Sequence, residues 1–224
     1  MRADARSPRP KWPWIAIGSA VLVIMAVSVW SGLRPASDEL KVSTSPPPRG
    51  VIGEVIDWEP TGCLGGDKLD VAMVLDAQSE ALRTRNGAVE FATSYVRWLT
   101  RYPVPLQEEV AAIEAAAVVN RTTYNLEGFL ADEPNLSSSL VPNGEEFHIS
   151  TAAGVWNLES YSADTAEISV GVGVVVNGEP NPQLRISTML TLNWGSDGWR
   201  IAQGNQPRPT EELFLIGTQY SGGC

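Results

Sequence analysis

The hydrophobic period of this chain changes once, near residue 145, and that change limits the fold more than any other feature. Before it, apolar residues recur at helical spacing. Phe91, Tyr95, Trp98, Leu99 and Tyr102 fall at i, i+4, i+7, i+8 and i+11, one face of an α-helix. Glu90 stands in the first turn of that helix, with Arg97 and Arg101 near its end, as the helix dipole favours. Pro103 and Pro105 stop it. Pro105 suits the first position of a second helix, with Glu108 and Glu109 in its opening turn and Val110, Ile113 and Ala117 as its apolar stripe. Tyr124 to Leu130 reads as a further short helix or an irregular turn, and Asp132 to Gly144 as loop. After residue 145 the period is two. Trp156 and Leu158 begin it, and Ile168, Val170, Val172, Val174 and Val176 continue it. Leu184, Ile186, Thr188, Leu190, Leu192 and Trp194 form the next set, followed by Trp199, Ile201 and Gln203. Turns are expected at Asn177-Gly178, lengthened by Pro180 and Pro182, and at Gly195 to Gly198. Helices first and a meander second is an α+β plan, an antiparallel sheet with one buried face packed on two or three helices. Gly171 and Gly173 in the long strand would permit that sheet to curve.

The other strong signal lies at the start. Residues 1–13 form a basic head (Arg2, Arg6, Arg9, Lys11), and residues 14–33 run from Trp14 to Leu33 without a charge. At about 1.5 Å per residue this stretch reaches roughly 30 Å, the thickness of a bilayer's hydrocarbon core. Trp12, Trp14 and Trp30 suit the two interfaces, and the cations suit the cytoplasmic side. Two readings compete, a single-pass anchor and a cleaved secretory signal. The exit, Trp30-Ser31-Gly32-Leu33-Arg34-Pro35, lacks the small-residue cleavage pattern and favours the anchor. Both place the remainder outside the cytoplasm. Residues 34–50 are a Pro-rich linker ending in Pro46-Pro47-Pro48. Residues 51–86 read as an extended lead-in, with a short helix conceivable over Asp70 to Arg83. Residues 87–224 form the main domain.

Charge and cysteine usage bound the partners. Residues 34–224 carry 12 Lys and Arg against 25 Asp and Glu, a formal charge of −13. Nucleic acid needs clustered cations, so direct binding by the exported part is not expected. Cys63 and Cys224 both lie in the exported part, where a disulfide is expected, within one chain or between two. No Cys-x-x-Cys occurs and His148 is the only histidine, so no metal and no cofactor is expected.

The closing hairpin reads Leu190-Thr191-Leu192-Asn193-Trp194, then Asp197-Gly198-Trp199-Arg200-Ile201. With the amphipathic helix ending in Trp98-Leu99 and Tyr102, a second helix and long strands, residues 85–205 resemble the nuclear-transport-factor-2-like superfamily. That superfamily is also called cystatin-like or ketosteroid-isomerase-like. The resemblance implies a cone, a curved sheet wrapped around a long helix. Many unrelated functions share such a fold, so it assigns none. Carried on a basic head, one membrane helix and a Pro-rich linker, the cone is similar to two groups of membrane proteins. One comprises the inner-membrane assembly proteins of conjugative type IV secretion. The other comprises the proteins associated with mammalian-cell-entry lipid importers. Both imply a non-catalytic scaffold that binds envelope proteins and further copies of itself.

Candidate residues follow from the same patterns. Tyr95, Trp98, Tyr102, Trp156, Trp194 and Trp199 are candidates for lining a pocket or an interface, against the plainer role of core packing. No catalytic residue is assigned. Isomerase-like chemistry would need a carboxylate base and hydrogen-bond donors in an apolar pocket, and Tyr95, Tyr102, Tyr124 and Asp132 are the groups it would recruit. His148, beside Glu145 and Glu146, reads as a surface residue at a strand start. Pocket character separates the readings: a cone filled by its own side chains favours a scaffold, and an open apolar cavity with convergent polar groups favours ligand binding.

Overall fold

The computed structural model describes residues 57–120 and 122–224. The basic head, the apolar span, the linker and residues 51–56 lie outside the described residues. Among the described residues no helix is long and apolar enough to cross a membrane.

The chain enters through a loop and forms α1 (Val71–Glu80), started by Asp70, whose carboxylate accepts from the Met73 N–H at 2.9 Å. Thr84 caps α2 (Arg85–Leu99) in the same way, accepting from Gly87. The helix ends three residues before the periodicity suggested. Tyr102 precedes Pro103, which disfavours helical backbone at that position. Tyr102 instead pairs with Phe147 in the two-residue strand β1 (Arg101–Tyr102). The next helix, α3 (Gln107–Ala116), begins beyond Pro105 and corrects that expectation: Leu106 is the N-cap residue. The Glu109 carboxylate accepts from the Leu106 N–H at 2.8 Å and from Arg101 at 2.7 Å, which sets the start. A short α4 (Leu126–Asp132) follows, capped by Asn125.

Four long strands make the meander: β2 (Phe147–Tyr161), β3 (Thr165–Val176), β4 (Glu179–Gly195) and β5 (Gly198–Asn205). Then come α5 (Thr210–Ile216) and the two-residue β6 (Thr218–Gln219). All named strand pairs are antiparallel, in the order β1-β2-β3-β4-β5, with β6 also pairing with β2. The β3–β4 turn is tighter than expected. Val176 pairs directly with Glu179, and Asn177 and Gly178 both have positive φ, so two residues suffice. Pro180 and Pro182 lie within the strand, close to a register shift that falls between Gly173 and Val174 on the facing β3. Similar shifts in β2 and at the β4–β5 pairing accompany the curl of the sheet into a half-barrel.

One face of the sheet carries Ile149, Ile168, Val170, Val172, Val174, Leu190, Leu192 and Ile201, all buried and packed into one core with α1, α2 and α3. The other face carries α5. Gly171 makes that possible: a Cβ there would lie 2.9 Å from both the Phe214 ring and the Val155 side chain. Both sheet edges are largely occupied, which blunts edge-to-edge pairing. Segment 117–119 runs along β5 through the Ile201-to-Ala117 and Val119-to-Ile201 hydrogen bonds. β1, the C-terminal residue and β6 run along β2.

Two parts of the sequence take roles that pattern alone did not give them. The described part of the lead-in holds α1, whose Met73, Val74 and Ala77 are buried in the core, so no boundary falls at residue 86. An isolated ten-residue helix of modest amphipathicity carries little signal until it has a neighbour. The tail after residue 205 had no assignment. Its cues were present in Pro209, Glu211 and Glu212 ahead of Leu213 to Ile216.

Candidate functional site

α2 organises two contrasting regions. It reads as an amphipathic helix, and every residue from Gly87 to Leu99 is buried, the polar ones included. Its polar stripe is met by the entering loop and the C-terminal tail. The Glu90 carboxylate accepts from the Thr61 N–H at 2.5 Å, the Thr61 hydroxyl at 2.8 Å and the Gly62 N–H at 3.1 Å. Ser94 donates to the Leu64 carbonyl at 2.7 Å, and Thr93 shares a 2.8 Å hydrogen bond with the Tyr220 hydroxyl. Arg97 donates to the Gly66 carbonyl at 3.1 Å. Burial pulls the Arg97 guanidinium down from its ordinary value, opposed by Asp67 and Glu90. Burial likewise pushes the Tyr220 hydroxyl up.

The expected disulfide closes this seal within the chain. Cys63 and Cys224 are bonded, with Cα atoms 5.9 Å apart. The Cys224 carbonyl accepts from the Thr151 N–H at 2.8 Å and the Ser150 hydroxyl at 2.7 Å, docking the tail on the irregular part of β2.

On another face of α2, at its C-terminal residues, the structure is open. A cleft of about 360 Å³ lies between Leu99 and Thr100, the helix α4, the loop 133–138 and strands β4 and β5. Its apolar walls are Leu99, Phe129, Leu136, Ile186, Met189 and Leu190. Tyr124 lines it, and its hydroxyl lies 3.0 Å from the hydroxyl of the fully buried Tyr95. Burial raises both tyrosines above the ordinary phenol value, Tyr95 strongly, so both keep their protons at neutral pH. The one carboxylate on the lining, Glu133, is exposed.

The six aromatic candidates do not converge on this cleft, and none of them lines it. Tyr95 and Trp98 stack obliquely on α2 with ring centres 5.8 Å apart, both without exposure. Trp194 and Trp199 meet edge to face at 5.2 Å, and the Trp199 indole donates to the Leu82 carbonyl at 2.9 Å. That places them beside the α1–α2 connection. Trp156 is half-buried on β2, packed against the core. Tyr102 lines a smaller cleft of about 230 Å³ with Phe147, Pro142 and Asn143. Core packing therefore claims most of the candidates. Of the groups considered for catalysis, Tyr95 and Tyr124 come together. Asp132 is exposed outside the cleft lining, and His148 sits on β2 opposite Val175, its pKa lowered by burial.

Sequence reasoning missed the cleft because its walls come from five separated segments of the chain. The one cue available was Tyr124, an aromatic without a place in either period. Among the described residues no group of acids, histidines and cysteines is arranged to hold a metal. No family model, no curated protein and no solved structure matches this chain, so the geometry of the site carries its own reading.

Proposed function

We propose that this chain is a membrane-tethered, non-catalytic assembly subunit, with a nuclear-transport-factor-2-like cone outside the cytoplasm that binds envelope proteins and further copies of itself. The first context is a conjugative, type IV-like DNA-transfer apparatus. An accessory role in a mammalian-cell-entry-type lipid importer is the alternative. The observation that carries the reading is the filled interior. Phe91, Tyr95, Trp98 and Trp199 occupy the hollow of the sheet without exposure. The charged groups on α2 are committed to holding the loop and the tail. Isomerase-like chemistry needs a carboxylate shielded beside its donors, and the carboxylate at the cleft is exposed. Apolar side chains left outside, Leu106 at 60%, Leu215 at 86% and Ile216 at 52% exposure, suit surfaces that assembly covers.

The test is genetic and biophysical. Removing the gene should sharply lower conjugative transfer, and the full chain should restore it while a chain lacking residues 14–33 should not. The full chain in mild detergent should scatter light as an oligomer. Unchanged transfer with impaired lipid uptake would move the reading to the alternative. A strict monomer with neither phenotype would overturn both.

A further inference from the structure

We infer that the cleft on the open face of α2 is a binding site for a compact, neutral, largely apolar molecule carrying a hydrogen-bond acceptor, which the Tyr124 hydroxyl receives. This is independent of the assembly role. At about 360 Å³ the cleft falls in the range of small-molecule sites, and it holds about a dozen water volumes at roughly 30 Å³ each. Six apolar side chains line it, so water there has few partners and an apolar occupant gains by displacing it.

Proton bookkeeping places the polar contact. Tyr95 and Tyr124 share a single O···O contact but own two protons. Tyr95 is fully buried, and its hydroxyl has no other hydrogen-bond partner among the described residues. A buried O–H without an acceptor is costly, so Tyr95 donates to Tyr124. The Tyr124 proton then remains, on a hydroxyl at the cleft wall. Several other polar groups of the lining are committed, while the hydroxyls of Thr100, Ser138 and Thr188 also belong to it. The Asn135 amide donates to the Val141 carbonyl and to Asn143, the Asn205 amide to Thr191, and the Ser187 hydroxyl to the Arg208 carbonyl.

The seat of Tyr124 is built for it. Its ring lies over Gly204, where a Cβ would come within 3.2 Å of the ring edge, so a side chain there would press the ring to shift slightly. Charge selects against anions. Glu133 stands at the rim, and the part of the chain after the apolar span carries −13 overall. A neutral ketone, ester or alcohol fits these terms, and a fatty acid does not.

Benzophenone is a suitable probe, being compact, neutral and apolar with one carbonyl, and it labels nearby C–H bonds on irradiation. The full chain in detergent is irradiated with increasing benzophenone, and the labelled peptides are mapped by mass spectrometry. Saturable labelling is expected on the peptides carrying Met189, Leu136 and Leu99. Excess camphor should protect the native chain several-fold, and the anionic 4-benzoylbenzoate should label several-fold less. Tyr124→Phe should weaken labelling several-fold, and Leu136→Trp, which fills the opposite wall, should nearly abolish it. Labelling of the apolar span by probe dissolved in detergent is read separately, on its own peptide. Labelling of the cleft peptides that does not saturate, that camphor leaves unchanged, or that favours the anion would overturn the assignment. Camphor protection acts on the native chain and decides the matter even where a variant fails to fold.

Discussion

Two faces of α2 treat polar groups in opposite ways. At the sealed side, Glu90, Thr93, Ser94 and Arg97 each meet a partner from the entering loop or the tail, and the Cys63–Cys224 bond locks those two segments together. At the open side, Tyr95 meets Tyr124, a residue of the cleft lining, and the two hydroxyls own one proton more than their single contact uses. The sealed side joins segments far apart in sequence through satisfied polar groups, and the cleft beside it, lined by Thr61, Leu64, Leu82 and Glu90, is smaller, at about 200 Å³. The open side contains room and an unspent donor. A helix buried on all faces thus divides stability from recognition between those faces, because a satisfied buried polar group rigidifies while an unsatisfied one invites a partner.

The sharpest way to break this contrast is to cut the lock. Cys63→Ala should lower stability by roughly 5 kcal/mol on the chain-entropy estimate for so long a loop. Urea unfolding of oxidised wild type and variant gives the difference, and a loss below about 1 kcal/mol would mean that the tail is held by hydrogen bonds alone. The next effect belongs to Glu90. Glu90→Ala strands the N–H groups of Thr61 and Gly62 and leaves Arg97 with less negative charge nearby, so about 3 kcal/mol should be lost. The same unfolding experiment would contradict the seal if the midpoint did not move.

A third measurement uses pH on the outer face. Arg208 donates to both oxygens of Glu159, at 3.0 and 2.5 Å, and Ser169 adds a 2.6 Å hydrogen bond. The Arg208 hydrogen bond chiefly holds the Glu159 carboxyl at about 2, below its ordinary 4.5. A carboxylate depressed by folding contributes stability above its unfolded value, and the contribution is lost as pH falls from about 4.5 toward about 2. The melting temperature of Glu159→Gln should therefore lie below wild type at pH 6, and the gap should close by pH near 2. A gap that stays constant across that window would show that the pair does not anchor the segment leading into α5. The smallest expected effect lies on the open face. Tyr95→Phe removes one hydrogen bond and should cost about 1 kcal/mol. If it cost several times more, the tyrosine pair would be part of the structural lock and the contrast between the two faces would weaken.

Much of the architecture was legible in periodicity. The switch from 3.6 to 2 near residue 145 marked the long strands, and Ile168, Val170, Val172 and Val174 are buried as the alternation requires. The disulfide was legible from the pair of cysteines and the export expected from the N-terminal segment. The candidate site was much less so. Trp98 and Trp199 drew attention by size and are core, whereas the cleft is assembled from Leu99, Phe129, Leu136, Met189 and neighbours, none unusual alone. The polar residues of α2 had no assigned environment, because a helical pattern shows which residues share a face but not what will cover it.

By itself the sequence determined local states and their order: a short helix after Asp70, a long one ahead of Pro103, the reversal at Asn177-Gly178 and the apolar face of each strand, although α2 starts at Arg85 and so puts Glu90 beyond its first turn. Those follow from caps, turn conformations and side-chain period, all of which act within a few residues. Only the tertiary structure decided that loop 60–66 and the tail would close over α2, that Gly171 would admit α5, and that Tyr124 would come to rest on Gly204 against Tyr95. Those outcomes depend on which surfaces remain uncovered after the sheet curls. Such a quantity is set by volume and by unpaired hydrogen bonds across distant segments, and no local pattern records it.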